Sequence, residues 1–325
     1  MFNGCSNINK INMLATNISA EGCLDDWLKD TASSGTVYYD VNSITLQVDS
    51  DSGIPVGWTA IDISTLPEYQ YLTIEVLESG NLTFYVKQQT DASSVSYRVN
   101  GGSWTTTTNP RDVTITVPVS ANDKVEWKGN ATYYSNDYNS GSKFGGDVSF
   151  NASGNIMSML YGDNFVGQYT VSVDRALSNF FDSSKIISAE NLVFPATSYT
   201  SNCCTRVFRN CTQLTTPPKE IPNITTAGDY VFDFMFENCT ALTKTPILRT
   251  KVLFSYMYDD MFKGCTNLNE IECHATNRSA YRSTTYWTQG VQTTQGVFKG
   301  YASTNWPNGV DGIPNNWTFV DLTQS

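Results

Sequence analysis

The chain has 325 residues, of which 40% are hydrophobic and 16% charged, a composition that folds into two or three domains and is too apolar for a disordered chain. Its formal net charge of −11 argues against a nucleic-acid partner, because nothing resembles a basic face that could displace phosphate counterions, and it fits an anionic membrane poorly. No apolar run approaches the roughly 18 residues needed to cross a bilayer, so no membrane insertion is expected.

Residues 1–63 open on MFNGCSNINKI (1–11) and run to GIPVGW (53–58). The start lacks the basic residues, apolar stretch and small-residue site of a signal peptide. The chain therefore reads as a mature or excised piece, or as one that reaches its place of work by another route.

Residues 64–150 alternate instead. Leu72, Ile74, Val76; Leu82, Phe84, Val86; Val95, Tyr97, Val99; and Val113, Ile115, Val117 all follow period two, as do Val125 with Trp127 and Val148 with Phe150. Short runs of this kind bounded by turn residues predict antiparallel strands, and Asn100-Gly101-Gly102 marks a hairpin. Six or seven strands in so short a stretch predict a small β-sandwich.

Residues 151–325 carry a repeat. Phe181, Phe208, Phe236 and Phe262 recur at intervals of 27, 28 and 26. Each is followed three residues later by Ser184, Cys211, Cys239 or Cys265, and six later by Ile187, Leu214, Leu242 or Leu268. Ahead of each lies an i, i+3, i+4, i+7 pattern, clearest in Phe232, Met235, Phe236 and Cys239, which predicts a helical turn. An extended piece follows. Such units bury their apolar faces only by stacking. The repeated Cys position reads as a small buried hydrophobe, with disulfides between neighbours left open. The last unit, MFKGCTNLNEI (261–271), runs on to GIPNNW (312–317) and duplicates residues 1–63: Gly4/Gly264, Cys5/Cys265, Trp27/Trp287, Gly35/Gly296 and Trp58/Trp317 align. Both copies read as a terminal repeat with its cap.

MFxxCTxLxxxP units preceded by aromatic turns and ended by W…G…GIPxxW resemble the BspA-like leucine-rich-repeat proteins of gut Bacteroidales and their phages and mobile elements. The resemblance covers most of 150–325 and, separately, 1–63. It implies a leucine-rich-repeat solenoid with a parallel sheet on one face, and roles in adhesion, host-protein or glycan binding and virion-borne recognition. The units depart from the pattern in lacking its Asn ladder. The first unit is degenerate, and Met1 falls inside a unit.

Candidate chemistry is sparse. The single histidine, His274, supports neither a triad nor a metal site. Cys203-Cys204 reads as core packing, and Asp49-Ser50-Asp51-Ser52-Gly53 as a polar turn rather than a calcium loop, because the distal bidentate acid is absent. Asp25-Asp26 and Asp259-Asp260 read as solvated turns. The leading binding candidate is the loop 131–143, where Tyr133, Tyr134 and Tyr138, with Asp137 beside them, match the rigid-aromatic, adaptable-polar composition of paratopes. Tyr281, Tyr286 and Trp287 form a second candidate.

The expectation is a mixed α/β and all-β chain: an orphan terminal repeat and cap (1–63), an antiparallel β-sandwich (64–150) and a short BspA-like leucine-rich-repeat solenoid (151–325). The expected function is non-enzymatic recognition of a protein or surface glycan, without cofactor or metal. A phage virion is the first setting and a bacterial cell-surface adhesin the second, with a glycan or peptide hydrolase the reading from another class. Residues 2–11 expose a stacking edge, predicted to be covered by another chain or an upstream segment.

Overall fold

The computed structural model describes residues 1–48, 50, 52–87, 93–135, 137, 140–292 and 294–324. Contacts divide the chain into two units, Met1–Gln70 and Tyr71–Ser325.

The first unit is built on three parallel strands, β1 (Lys10–Met13), β2 (Gly35–Tyr39) and β3 (Trp58–Asp62), in that spatial order. Ile11, Trp27, Leu28, Val37 and Ile54 fill its core. The Trp27 indole N–H donates to the Gly53 carbonyl at 2.8 Å, tying the Gly-Ile-Pro turn to the last coil. Gly35 leaves room for the Trp58 ring: a Cβ there would stand 2.8 Å from the indole.

The second unit begins with β4 (Leu72–Val76), β5 (Gly80–Val86), β6 (Ser94–Val99), β7 (Thr105–Thr108), β8 (Val113–Val119), β9 (Lys124–Gly129), β10 (Lys143–Gly146) and β11 (Phe150–Asn155). They pair antiparallel, as their alternation predicts. β10, β5 and β8 form one sheet, and β11, β4, β9, β6 and β7 belong to another. The two share a core in which Phe84 and Phe144 lie 5.6 and 5.2 Å from Trp127. A four-residue helix, α1 (Ser158–Tyr161), follows.

The rest is extended chain and turn: β12 (Thr170–Val171), β13 (Ile186–Val193), β14 (Ser198–Tyr199), β15 (Glu220–Ile221), β16 (Thr226–Ala227), β17 (Ile247–Leu248), β18 (Glu270–Glu272), β19 (Val297–Gly300) and β20 (Thr318–Asp321). Their pairings are parallel. β13 joins β11 in the larger sheet; the others form the short sheets β12–β14–β16, β15–β17 and β18–β19–β20.

This overturns the expected mixed α/β leucine-rich-repeat solenoid. Among the described residues α1 is the one α-helix, and the repeat strands fall into separate small sheets rather than one continuous face. The chain is mostly β. The physical reason lies in the turns. Where helix is predicted, every fourth residue is left-handed: Arg175, Asn179 and Ser183, then Asn202, Arg206 and Asn210, then Tyr230, Phe234 and Asn238, then Tyr256, Asp260 and Gly264. Left-handed residues break an α-helix. They turn alternate amides outward, to the next coil: Leu177, Asn179, Phe181 and Ser183 donate to the carbonyls of Cys203, Thr205, Val207 and Arg209 at 2.8–3.0 Å. A repeat of four places i and i+4 on one side just as a helix does, so Phe232 with Phe236, and Tyr258 with Phe262, are buried together.

The coils stack through these side chains. Phe181, Phe208, Phe236 and Phe262 form a ring column with centroids 5.1–5.6 Å apart and planes within 15°. The repeated cysteines are free, and Cys211, Cys239 and Cys265 donate their thiols to the carbonyls of Phe181, Phe208 and Phe236 at 3.0 Å each. Burial pushes the thiols of Cys211 and Cys265 up to about 12, which keeps them protonated and therefore able to donate. The bend cysteine adds a second donor to a carbonyl of the preceding coil, which already accepts the backbone N–H of Ser184, Cys211 or Cys239. No described helix is long and apolar enough to cross a membrane.

Candidate functional site

The structure separates the loop candidates. Tyr134 is fully buried, its hydroxyl donating to the Met159 carbonyl at 2.8 Å and its ring packed on Phe84 and Phe180. It is a core residue and offers a ligand nothing. Tyr133 is half-buried against the same core and Asp137 is exposed, while Tyr138 lies outside the described residues. Of the polar turn at 49–53, Asp49 and Asp51 also lie outside them. Trp287 is fully buried, with its indole donating to Gly312 at 3.0 Å, the counterpart of Trp27 and Gly53.

Tyr281 and Tyr286 are exposed, and the turns bring a larger group to them. Tyr230 and Tyr256 occupy equivalent left-handed positions of consecutive coils, and their rings stack at 4.1 Å and 20°. Tyr281 meets Tyr256 edge-on at 5.3 Å. The Arg282 guanidinium lies 5.3 Å from the Tyr256 ring. Phe234, half-buried in the neighbouring column, has the cations of Arg206 and Lys263 over its ring at 5.3 and 5.7 Å.

Three aspartates lie between these columns. Asp233, Asp259 and Asp260 are buried, with carboxylate oxygens within 4.8 Å of one another. This corrects the expectation that Asp259-Asp260 is a solvated turn: the four-residue repeat folds both side chains between adjacent coils. Arg282 pairs with Asp259 at 3.0 Å and Lys263 with Asp260 at 3.0 Å. Two cations therefore already answer the cluster, which behaves as a charge network beneath the aromatic strip. Burial pushes the Asp259 carboxyl up to about 6, against the pull of Arg282 and with Asp260 and Asp311 adding to the rise.

Two further polar sites lie elsewhere in the second unit. Glu270, Glu272 and His274 alternate on one side of β18 and its continuation, opposite the buried Ile271 and Cys273. His274 Nε2 lies 2.8 Å from Glu272, and Lys299 lies 2.7 Å from Glu270. Glu270 and Glu272 border a cleft of about 370 Å³ whose walls include Glu190, Lys219 and Lys244. On the sheet of β6 and β9, Trp104 covers Arg98 and Lys128, whose cations lie 4.7 and 4.3 Å from its ring, with Tyr71 edge-on at 5.1 Å.

The sequence reading missed Tyr230, Phe234 and Tyr256. Tyr230 and Tyr256 had a signal, an aromatic one repeat apart from another just ahead of the buried i, i+4 pair, whereas Phe234 has Arg206 and Asp260 at its equivalent positions and had none. No protein-family model matches the chain, and neither does any curated protein or solved structure.

Proposed function

We propose that the chain is a non-enzymatic recognition protein and that its binding surface is the strip of Tyr230, Phe234, Tyr256, Tyr281 and Tyr286 with Arg282. One observation carries this reading. Left-handed backbone costs a bulky side chain about 1–2 kcal/mol relative to its usual conformation, and Gly and Asn tolerate it best. The chain places Asn202, Asn210, Asn238, Gly264 and Gly290 at such positions, yet it puts Tyr230, Phe234, Tyr256 and Tyr286 at others. Strained aromatics retained on a surface point to use. Tyrosine and arginine are also the residues that dominate binding energy at interfaces. The composition favours a protein surface over a sugar. The setting, a phage virion or appendage, rests on the likeness of the MFxxCTxL repeats to proteins of gut Bacteroidales and their phages.

The test is a panel of immobilised glycans and bacterial surface proteins probed with the purified chain. Binding to a protein ligand that falls at least tenfold in Tyr256→Ala and in Tyr281→Ala, with circular dichroism unchanged, is the expected result. Ligand binding that neither substitution weakens would refute the assignment of the strip. Glycan binding lost in Trp104→Ala alone would move recognition to the other aromatic site.

A further inference from the structure

The duplicated module carries different side chains at equivalent positions of its two copies. The Ser19 and Ser279 N–H groups donate to the side chains of Asn17 and Asn277 at 2.8 and 2.9 Å. The Cys23 thiol and the Ser283 hydroxyl then donate to the carbonyls of Ile18 and Arg278 at 3.1 and 2.8 Å. The indoles of Trp27 and Trp287 close the series on Gly53 and Gly312. Ile18 and Arg278 therefore occupy the same position, as do Gly22 and Arg282, and Leu24 and Thr284. In the first copy Ile18 and Leu24 pack on the core. The module folds with apolar side chains there, so its architecture does not demand the arginines or the threonine of the second copy.

These polar residues line an open pocket. Arg278, Arg282, Thr284 and Asp311 border a cavity of about 570 Å³ between the last run of turns and the loop ahead of the Gly-Ile-Pro turn, a volume ordinary for a ligand site. The Arg278 guanidinium lies 5.7 Å from the Trp306 ring, and its Nη1 donates to the Thr284 hydroxyl at 3.3 Å. Trp306 is itself stacked on the buried Trp287 at 5.5 Å, which fixes the platform beneath the arginine. The neighbouring charges are already engaged. Arg282 pairs with Asp259 at 3.0 Å, and Asp311 Oδ1 accepts the Tyr286 N–H at 2.7 Å. Among the described residues no carboxylate pairs with Arg278. Burial pulls its pKa below the usual guanidinium range, and the more distant Asp311 offsets this only in part. A half-buried cation without a counter-ion favours a ligand that brings one.

We propose that the Arg278 pocket binds a carboxylate, that of an acidic side chain on a protein ligand. A guanidinium presents its N–H donors as a planar fork that takes both oxygens of a carboxylate at once. Of the five donors, Thr284 accepts from one, and the fork rests on the Trp306 face with the cavity open beside it. The choice of a protein over an acidic sugar rests on the proposed aromatic strip, which Arg282 joins to the pocket. The carboxylate site itself does not depend on the strip.

The test titrates the full chain, isotope-labelled on its arginine side chains for NMR, with the blocked tripeptide acetyl-Gly-Glu-Gly-amide at constant ionic strength. Acetyl-Gly-Gln-Gly-amide is the neutral control, and inorganic phosphate and N-acetylneuraminate are run beside it. Arg278→Ile, which installs the residue of the first copy, identifies the Arg278 Nε signal by its loss. Saturation transfer to the tripeptide reads the affinity of each variant. The expected result is a saturable shift of the Arg278 signal with the glutamyl peptide, none with the glutaminyl peptide, and binding about tenfold weaker in Arg278→Ile. Arg278→Lys keeps the charge without the fork and should bind at an intermediate level; it carries the comparison if the isoleucine variant does not fold. An Arg278 signal that stays still, or that moves equally with both peptides, would overturn the carboxylate site, as would full binding in either variant. Tighter binding of phosphate would overturn the choice of carboxylate, and tighter binding of N-acetylneuraminate the choice of a protein. The tripeptide reads the pocket alone, so these failures stand apart from a failure of the strip, which Tyr256→Ala reads on protein ligands.

Discussion

Replacing Asp259 by Asn should make the protein more stable at neutral pH and leave it nearly unchanged in mild acid. The Asp259 carboxyl sits at about 6 in the fold against 3.8 for the unperturbed group. Between those values the folded state binds a proton that the unfolded chain has released, so stability falls as pH rises through this window. A difference of about two units corresponds to about 3 kcal/mol if the side chain is fully shielded. Its exposure is 5%, but it lies beside a surface arginine, and solvent screening there brings the expectation to about 2 kcal/mol. Asn approximates the protonated acid in shape and charge. Urea unfolding followed by circular dichroism at pH 4 and pH 7.5, for both proteins, reads the charge of Asp259 together with its coupling to Asp260 and Asp311, while carboxylates remote from it contribute equally to both. A stability difference between variant and parent that stays constant from pH 4 to pH 7.5 would refute the buried-charge reading of Asp259.

Three other outcomes follow from the packing. Phe236→Ala removes the middle of the ring column, between Phe208 at 5.1 Å and Phe262 at 5.6 Å, and should cost about 3–5 kcal/mol in urea melts. Gly296→Ala brings a Cβ to 2.4 Å of the Trp317 ring and should cost about 1–3 kcal/mol, read as a lowered melting temperature and a shifted tryptophan emission. Tyr256→Asn trades a ring stack worth about 0.5–1.5 kcal/mol for relief of left-handed strain of about 1–2 kcal/mol. Its unfolding free energy should stay within about 1 kcal/mol of the parent while ligand binding is lost, the opposite of what a structural tyrosine would give.

The repeat was readable because Phe181, Phe208, Phe236 and Phe262 bury the same face at nearly constant spacing, and that spacing survives in the stacked rings. The strands of 72–155 were readable from strict alternation. The conformation between repeats was not. Over two turns, a period of 3.6 and a period of 4 place Phe232, Met235 and Phe236 on one side alike, and the apolar pattern does not distinguish helix from a run of turns. The distinguishing signal lay in Asn210, Asn238, Gly264 and Gly290, one left-handed residue ahead of each bend, a pattern of turn chemistry rather than of hydrophobicity. The burial of Tyr134 was hidden for a related reason. Composition cannot tell which of two adjacent tyrosines faces inward, and Tyr134 does while Tyr133 stays at the rim. The strip itself was hidden because Tyr230 and Tyr256 occupy positions where a left-handed backbone predicts Gly or Asn.

The alternate amides that cross from coil to coil also set how the protein bears load. Force applied along the stack opens those bonds one coil at a time, and each coil that leaves exposes the carbonyl that its bend cysteine had covered. Force applied along the strands shears several ladders at once and meets far more resistance. The surface proposed here, built on the turns, would hold hardest against a sideways pull and yield stepwise to a pull end-on.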